Sequence, residues 1–151
     1  MSNQSIIESR NVIPKEVYER KLATKKIEDE LGFSIPIECQ NRRLLIMPFT
    51  RYGKKDAPVR QGSVIIAPSS RTKYDEFEAR VGRVLKMADN AYTGEKFEGE
   101  KPSCTVGEWV VFDRSCQQGR ICYKGIAMTF IYDDKVLGTT TDHENFEFYD
   151  N

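Results

Sequence analysis

Apolar positions along this chain change their period near residue 35. Between Pro14 and Leu31 they recur at helical spacing: Val17, Ala23, Ile27 and Leu31 share one side of a helical wheel, and Tyr18 and Leu22 form a second, narrower stripe. Pro14 suits a first helical turn and Gly32 suits a C-terminal stop. The spacing therefore predicts a helix over Pro14–Leu31. Its amphipathicity is weak, so the plain reading is a helix lying on its own domain or on a neighbour. The polar stretch Met1–Val12 predicts a frayed terminus.

Beyond Ile35 the helical period is gone. Arg42–Phe49 contains the run Leu44, Leu45, Ile46, Met47, which predicts a buried strand. Further strands are expected at Arg80–Met87, Glu108–Asp113, Gly119–Lys124, Ala127–Tyr132 and Lys135–Thr141, where β-branched and aromatic residues concentrate. Turn signals such as Lys124-Gly125 and Asp133-Asp134 separate them. Trp109, Val111 and Phe112 are expected in the core. Short strands with no helix between them imply a mainly β fold, an antiparallel barrel or sandwich. The chain then divides into an N-terminal extension, 1–34, a β domain, 35–142, and a C-terminal tail, 143–151.

Two stretches break the strand rhythm. Thr50–Glu78 is rich in charge at both ends and carries Gly62-Ser63-Val64-Ile65-Ile66-Ala67-Pro68 in its middle. A connection of that length is usually functional or disordered. An ordinary short strand in the barrel is the competing reading for Val64–Ile66, and Pro68 with the flanking charges weighs against a central one. The second stretch, Asp89–Pro102, is hydrophilic apart from Tyr92 and Phe97, and predicts a protruding loop or hairpin.

Charge and chemistry narrow the function. Lys plus Arg number 23 and Asp plus Glu number 23, so the chain has no basic excess with which to grip phosphate backbones. No apolar run reaches bilayer length and no signal-peptide core opens the chain, so a cytoplasmic location is expected. The four cysteines, Cys39, Cys104, Cys116 and Cys122, include no CxxC pair, and His143 is the single histidine. No metal site is expected from that set, and the thiols are expected reduced, although Cys116 and Cys122 could face each other across a hairpin. A Ser-His-Asp or Cys-His centre would need His143, which sits in a loose-looking tail. No P-loop or GxGxxG motif is present. The expectation is a protein that is not an enzyme and holds no cofactor.

The order of motifs then carries a resemblance. Val81-Gly82-Arg83-Val84-Leu85 leads into the hydrophilic loop, and Val106-Gly107-Glu108-Trp109-Val110-Val111-Phe112 follows it. Tyr123-Lys124-Gly125 and Asp133-Asp134-Lys135-Val136-Leu137 come later. This succession resembles the GroES family of co-chaperonins over about Ile35–Asp142. The loop wording with Tyr92, Gly94, Glu95 and Phe97 is most similar to its bacteriophage branch. Glu108 stands where the family has Asp, Ala88 stands where a glycine often follows, and the helical extension is additional.

The resemblance implies a GroES-like small β-barrel with a mobile loop over about 50–78 and a roof loop over about 89–102. Gly62, Ser63, Val64, Ile65 and Ile66 would then contact the apical face of a GroEL-type chaperonin, and Tyr92 and Phe97 would belong to the chamber roof, facing client proteins. It further implies a homo-oligomeric ring, seven-membered, with the terminal strands around Arg42–Met47 and Lys135–Thr141 at the subunit contacts. ATP would be hydrolysed by the partner, and the clients would be phage proteins in a host cytoplasm. The alternative is a structural virion or scaffold component that uses the same barrel without binding a chaperonin. A nucleic-acid-binding barrel is disfavoured by the neutral charge.

Overall fold

A computed structural model describes residues 12–49, 59–61, 64–66 and 80–147. The predicted helix is present as α1, Pro14–Leu31. Pro14 opens it, and Gly32 closes it in a left-handed conformation (φ 87°), its N–H donating to the Glu28 carbonyl. Thr24 and Ile27 are buried, and Ala23 and Leu31 pack beside them. Tyr18 and Leu22, the second stripe, are exposed. Among the described residues no helix is long and apolar enough to cross a membrane.

Among the described residues, six of eight strands form one antiparallel sheet: β1 (Arg43–Pro48), β4 (Val81–Met87), β5 (Trp109–Phe112), β6 (Gln118–Tyr123), β7 (Ile126–Tyr132) and β8 (Val136–Thr140). Their order across the sheet is β6-β7-β1-β4-β5-β8. The other two, β2 (Val59–Gln61) and β3 (Val64–Ile66), pair only with each other. The architecture is thus mainly β with one N-terminal helix.

β1 lies in the middle, paired with β4 on one side and β7 on the other. Leu44, Leu45 and Ile46 are all 0% exposed. Successive strand residues point to opposite faces, so three consecutive buried residues mean that both faces of β1 are covered. The core that covers them takes Ile27 from α1, Ile35 and Cys39 from the following segment, and Ala91, Tyr92, Phe97, Cys104 and Val106 from the stretch between β4 and β5. β7 pairs with β1 over Arg43–Ile46 and β4 pairs with it over Leu44–Pro48, so β1 lies inside the sheet, whereas β8 lies at an edge.

β5 corrects one expectation. Val110 and Phe112 are fully buried, whereas Trp109 and Val111 are half-buried on the opposite face. All four residues are apolar, so composition does not say which alternate pair points inward; the register Val110↔Thr139 and Trp109↔Thr140 decides it.

Gly82 is needed by packing. A Cβ at this position would run into Ile46 Cγ2 and would lie 2.9 Å from the Met47 carbonyl oxygen. The backbones of β4 and β1 therefore approach closely at this end of the pair, next to the Pro48↔Gly82 register position. We expect Gly82→Ala to destabilise the chain by about 1–3 kcal/mol, read as a lowered urea midpoint with unchanged slope.

Candidate functional site

The first candidate is the hairpin of β2 and β3. Val59↔Ile66, Arg60↔Ile65 and Gln61↔Val64 set its antiparallel register. Val64, Ile65 and Ile66 form a short strand, but it lies outside the six-stranded sheet, where the competing reading of an ordinary barrel strand would put it. Gly62 and Ser63, together with the rest of the expected loop over 50–58 and 67–78, lie outside the described residues. The excursion leaves the sheet at Phe49, whose amide donates to the Val81 carbonyl at 2.8 Å, and this bond joins its two ends.

The second candidate is the stretch between β4 and β5. Tyr92 and Phe97 were expected on a protruding loop; they are instead buried, at 0% and 7% exposure. Their rings meet edge to face at 5.2 Å. The physical reason is a polar hub. Asp133, 2% exposed at the turn between β7 and β8, accepts the Tyr92 N–H at 2.7 Å and Arg42 Nε at 3.3 Å through the same Oδ2. The Asp133 N–H donates to the Arg42 carbonyl, and the Arg42 N–H donates to Asn90 Oδ1 at 2.9 Å. The Arg42 guanidinium lies over the Phe97 ring at 5.2 Å. Lys96 donates to Asp134 across the rim of the loop. That hydrogen bond holds the Asp134 carboxyl below its usual range. The contribution is therefore present above the unfolded carboxylate range and is lost as pH falls through the lowered value.

Charged side chains also anchor α1. Lys86, 8% exposed on β4, donates to the carbonyls of Ile35 at 2.9 Å and Ile37 at 2.7 Å and to Glu38 Oε2 at 3.0 Å. Arg20 reaches the carbonyls of Ala88 and Ala91, and Thr24 Oγ1 donates to the Leu85 carbonyl at 2.8 Å. Beside these groups, between α1, Ile35, Glu38 and Met87, runs a cleft of about 460 Å³. Of the polar side chains that line it, Arg20 and Thr24 tie the helix to carbonyls of Ala88, Ala91 and Leu85, and Lys86 holds the segment that follows the helix.

Nothing in these arrangements activates a nucleophile. Burial pushes the Cys39 thiol up to about 12 and the Cys104 thiol up to about 11. Burial likewise raises the Tyr92 hydroxyl, which sits 3.4 Å from Cys104 Sγ. All four cysteines are free. Among the described residues no three His, Cys, Asp or Glu side chains come together to hold a metal ion. His143 is not in a loose tail: its ring stacks on Trp109.

The sequence matches no protein-family model and no curated relative.

The residues that sequence reasoning missed are Asp133, Arg42, Arg20 and Lys86. Only Lys86 carried a signal, as one of two cations, with Arg83, inside an otherwise apolar strand.

Two outcomes are expected. Asp133→Ala strands the Tyr92 N–H and removes the partner of Arg42. It should cost about 1–3 kcal/mol, below the full value for a buried ion pair because Arg42 is 35% exposed; urea unfolding measures it. In native protein at pH 8, alkylation should begin at exposed Cys122, while Cys39 and Cys104 stay unmodified until denaturant is added; mass mapping of the labelled thiols gives the order.

Proposed function

We propose that this chain is a co-chaperonin-type lid, a β domain that offers an aliphatic hairpin arm to a GroEL-type chaperonin and caps its chamber. The observation that carries the reading is the position of Val64–Ile66: an aliphatic strand in a two-stranded hairpin of its own, outside the sheet that forms the core. The succession of motifs that resembles the GroES family supports it. So does Gly82, since the glycine of the Gly-x-Val-Leu wording is where β4 meets β1 too closely for a side chain.

The energetics suit a lid that must come off. Burying one aliphatic side chain stabilises a complex by roughly 1.5–3 kcal/mol. Ordering a segment on binding costs roughly 2–5 kcal/mol or more. In this chain β3 is already paired with β2, which meets part of that cost in advance. A single arm still binds weakly, and a ring of arms, seven in the proposed assembly, binds through effective concentration and releases when the partner changes shape. In that ring β8 is the terminal strand with an available edge. Nucleotide hydrolysis belongs to the partner. Tyr92 and Phe97 enter as the loop's own core, so client proteins would meet the polar exterior of 89–102 rather than these rings.

Strand pairing of Val64–Ile66 also favours a second reading, a structural or scaffold component whose hairpin docks in a fixed interface. Co-sedimentation with a GroEL-type chaperonin, with and without ATP, separates the two. The lid reading expects nucleotide-dependent binding that Ile65→Asp lowers at least about tenfold, since losing one buried aliphatic contact removes roughly 1.5–3 kcal/mol per arm. Absence of binding by the unaltered chain, the natural host's chaperonin included, would leave the structural reading.

A further inference from the structure

We propose that the C-terminal segment 141–147 is a strap that fixes the base of the hairpin arm, acting through a three-ring stack of His143, Trp109 and Phe49. This rests on the geometry at the arm's base and not on the identity of any partner.

The stack is compact. The His143 ring lies flat on Trp109, with centroids 3.7 Å apart and planes 4° from parallel. The Phe49 ring meets His143 edge-on at 4.9 Å and Trp109 edge-on at 5.8 Å. Such ring pairs attract beyond their buried area. The segment is folded toward the stack by its own bonds: the Asp142 N–H donates to Thr140 Oγ1 at 2.9 Å, and Asn145 Nδ2 donates to Asp142 Oδ1 at 2.8 Å. His143 Nε2 lies 3.7 Å from Glu144 Oε1. Thr140 is the register partner of Trp109, so the end of β8 delivers His143 to the ring of the neighbouring strand.

Phe49 is what makes the stack more than a local cluster. Its amide donates to the Val81 carbonyl at 2.8 Å, the bond that joins the outgoing and returning chain of the excursion carrying β2 and β3. Opening that bond requires the Phe49 backbone to move, and its ring is held by His143 and Trp109. The position of the C-terminal segment and the order at the arm's base are therefore coupled. A partner that draws 141–147 away loosens the arm, and a load on the arm is felt at Trp109. This gives the C-terminal segment a conformational role that a frayed tail could not have.

The chain has one tryptophan and one histidine, so the test is clean. Native-state hydrogen exchange of the Phe49 amide would be followed with Trp109 emission in the full chain, in His143→Ala and in His143→Phe. The amides of Val84 and Ala88, bonded to the Glu108 and Arg43 carbonyls, serve as internal references. The strap predicts altered Trp109 emission in His143→Ala and a Phe49 exchange rate raised about two- to tenfold, with the two references unchanged. It predicts recovery of protection in His143→Phe, which keeps a flat ring over the indole. The proposal is overturned if Phe49 exchange or Trp109 emission in His143→Ala matches the parent. It is equally overturned if Phe49, Val84 and Ala88 accelerate together, since the segment then acts only on global stability. No readout uses a chaperonin, so the lid reading and the strap fail separately.

Discussion

A carboxylate taken out of water has to be met by donors where it sits, and Asp133 is met by groups from two distant parts of the chain. Tyr92 belongs to the stretch after β4, Arg42 to the residue before β1, and Asp133 itself to the turn before β8. Their bonds bring the three together, and the inward fold of 89–102 follows. Tyr92 (φ 62°) and Arg42 (φ 63°) both adopt left-handed backbone, which side-chain-bearing residues rarely do. Strain of that kind costs on the order of 1–3 kcal/mol per residue and persists only where surroundings over-determine it. Here the surroundings are the Asp133 bonds and the rings of Tyr92 and Phe97 packed against each other. The stretch is thus a folded-in cover for the core.

The elements themselves were largely legible in the sequence, because local signals decide them. Pro14 and Gly32 bracket a helix of the predicted span, and every strand expected outside the long excursion forms within a residue or two of its expected ends. What was not legible depends on distant partners. Tyr92 and Phe97 look exposed because their neighbours are hydrophilic, and the group that turns them inward is 41 residues from Tyr92. The apolar run Trp109–Phe112 satisfies either facing of a strand, so its inward pair waited on the register with β8. His143 reads as tail because nothing nearby in sequence shows that Trp109 and Phe49 will meet it. The centrality of β1 is also a pairing fact. As for the candidate site, an aliphatic triplet after Gly62-Ser63 could be read as distinctive, but its strand pairing with Val59–Gln61 could not, since two three-residue strands leave almost no periodic trace.

α1 shows how a weakly amphipathic helix is held. Its apolar contribution is small, with Ile27 as its buried aliphatic residue. The remainder is directional: Thr24 and Arg20 donate to carbonyls of β4 and of the residues just beyond it. Glu28 accepts the Ile35 N–H at 2.6 Å, and Lys86 closes the arrangement from the strand side. Hydrogen bonds of this kind are each worth only about 0.5–1.5 kcal/mol net, yet they fix orientation as an apolar stripe does not. The clamp acts on β4, the same strand whose Gly82 is pressed against β1 and whose Val81 carbonyl receives the Phe49 amide.

That shared strand links the extension to the arm. β4 is held by α1 at its Leu85–Lys86 end and by β1 along its length, and the hairpin excursion starts and returns beside its Val81 end. A binding element gains from effective concentration only if its origin is held at a set distance from the neighbouring copies; a base that drifts spreads that concentration over useless positions. The proposed lid needs weak arms on fixed origins, so that many engage together and none holds alone. A clamped β4, with Phe49 closed against Val81 and rings packed over Phe49, meets the second half of that requirement. β3, short and already paired, meets the first.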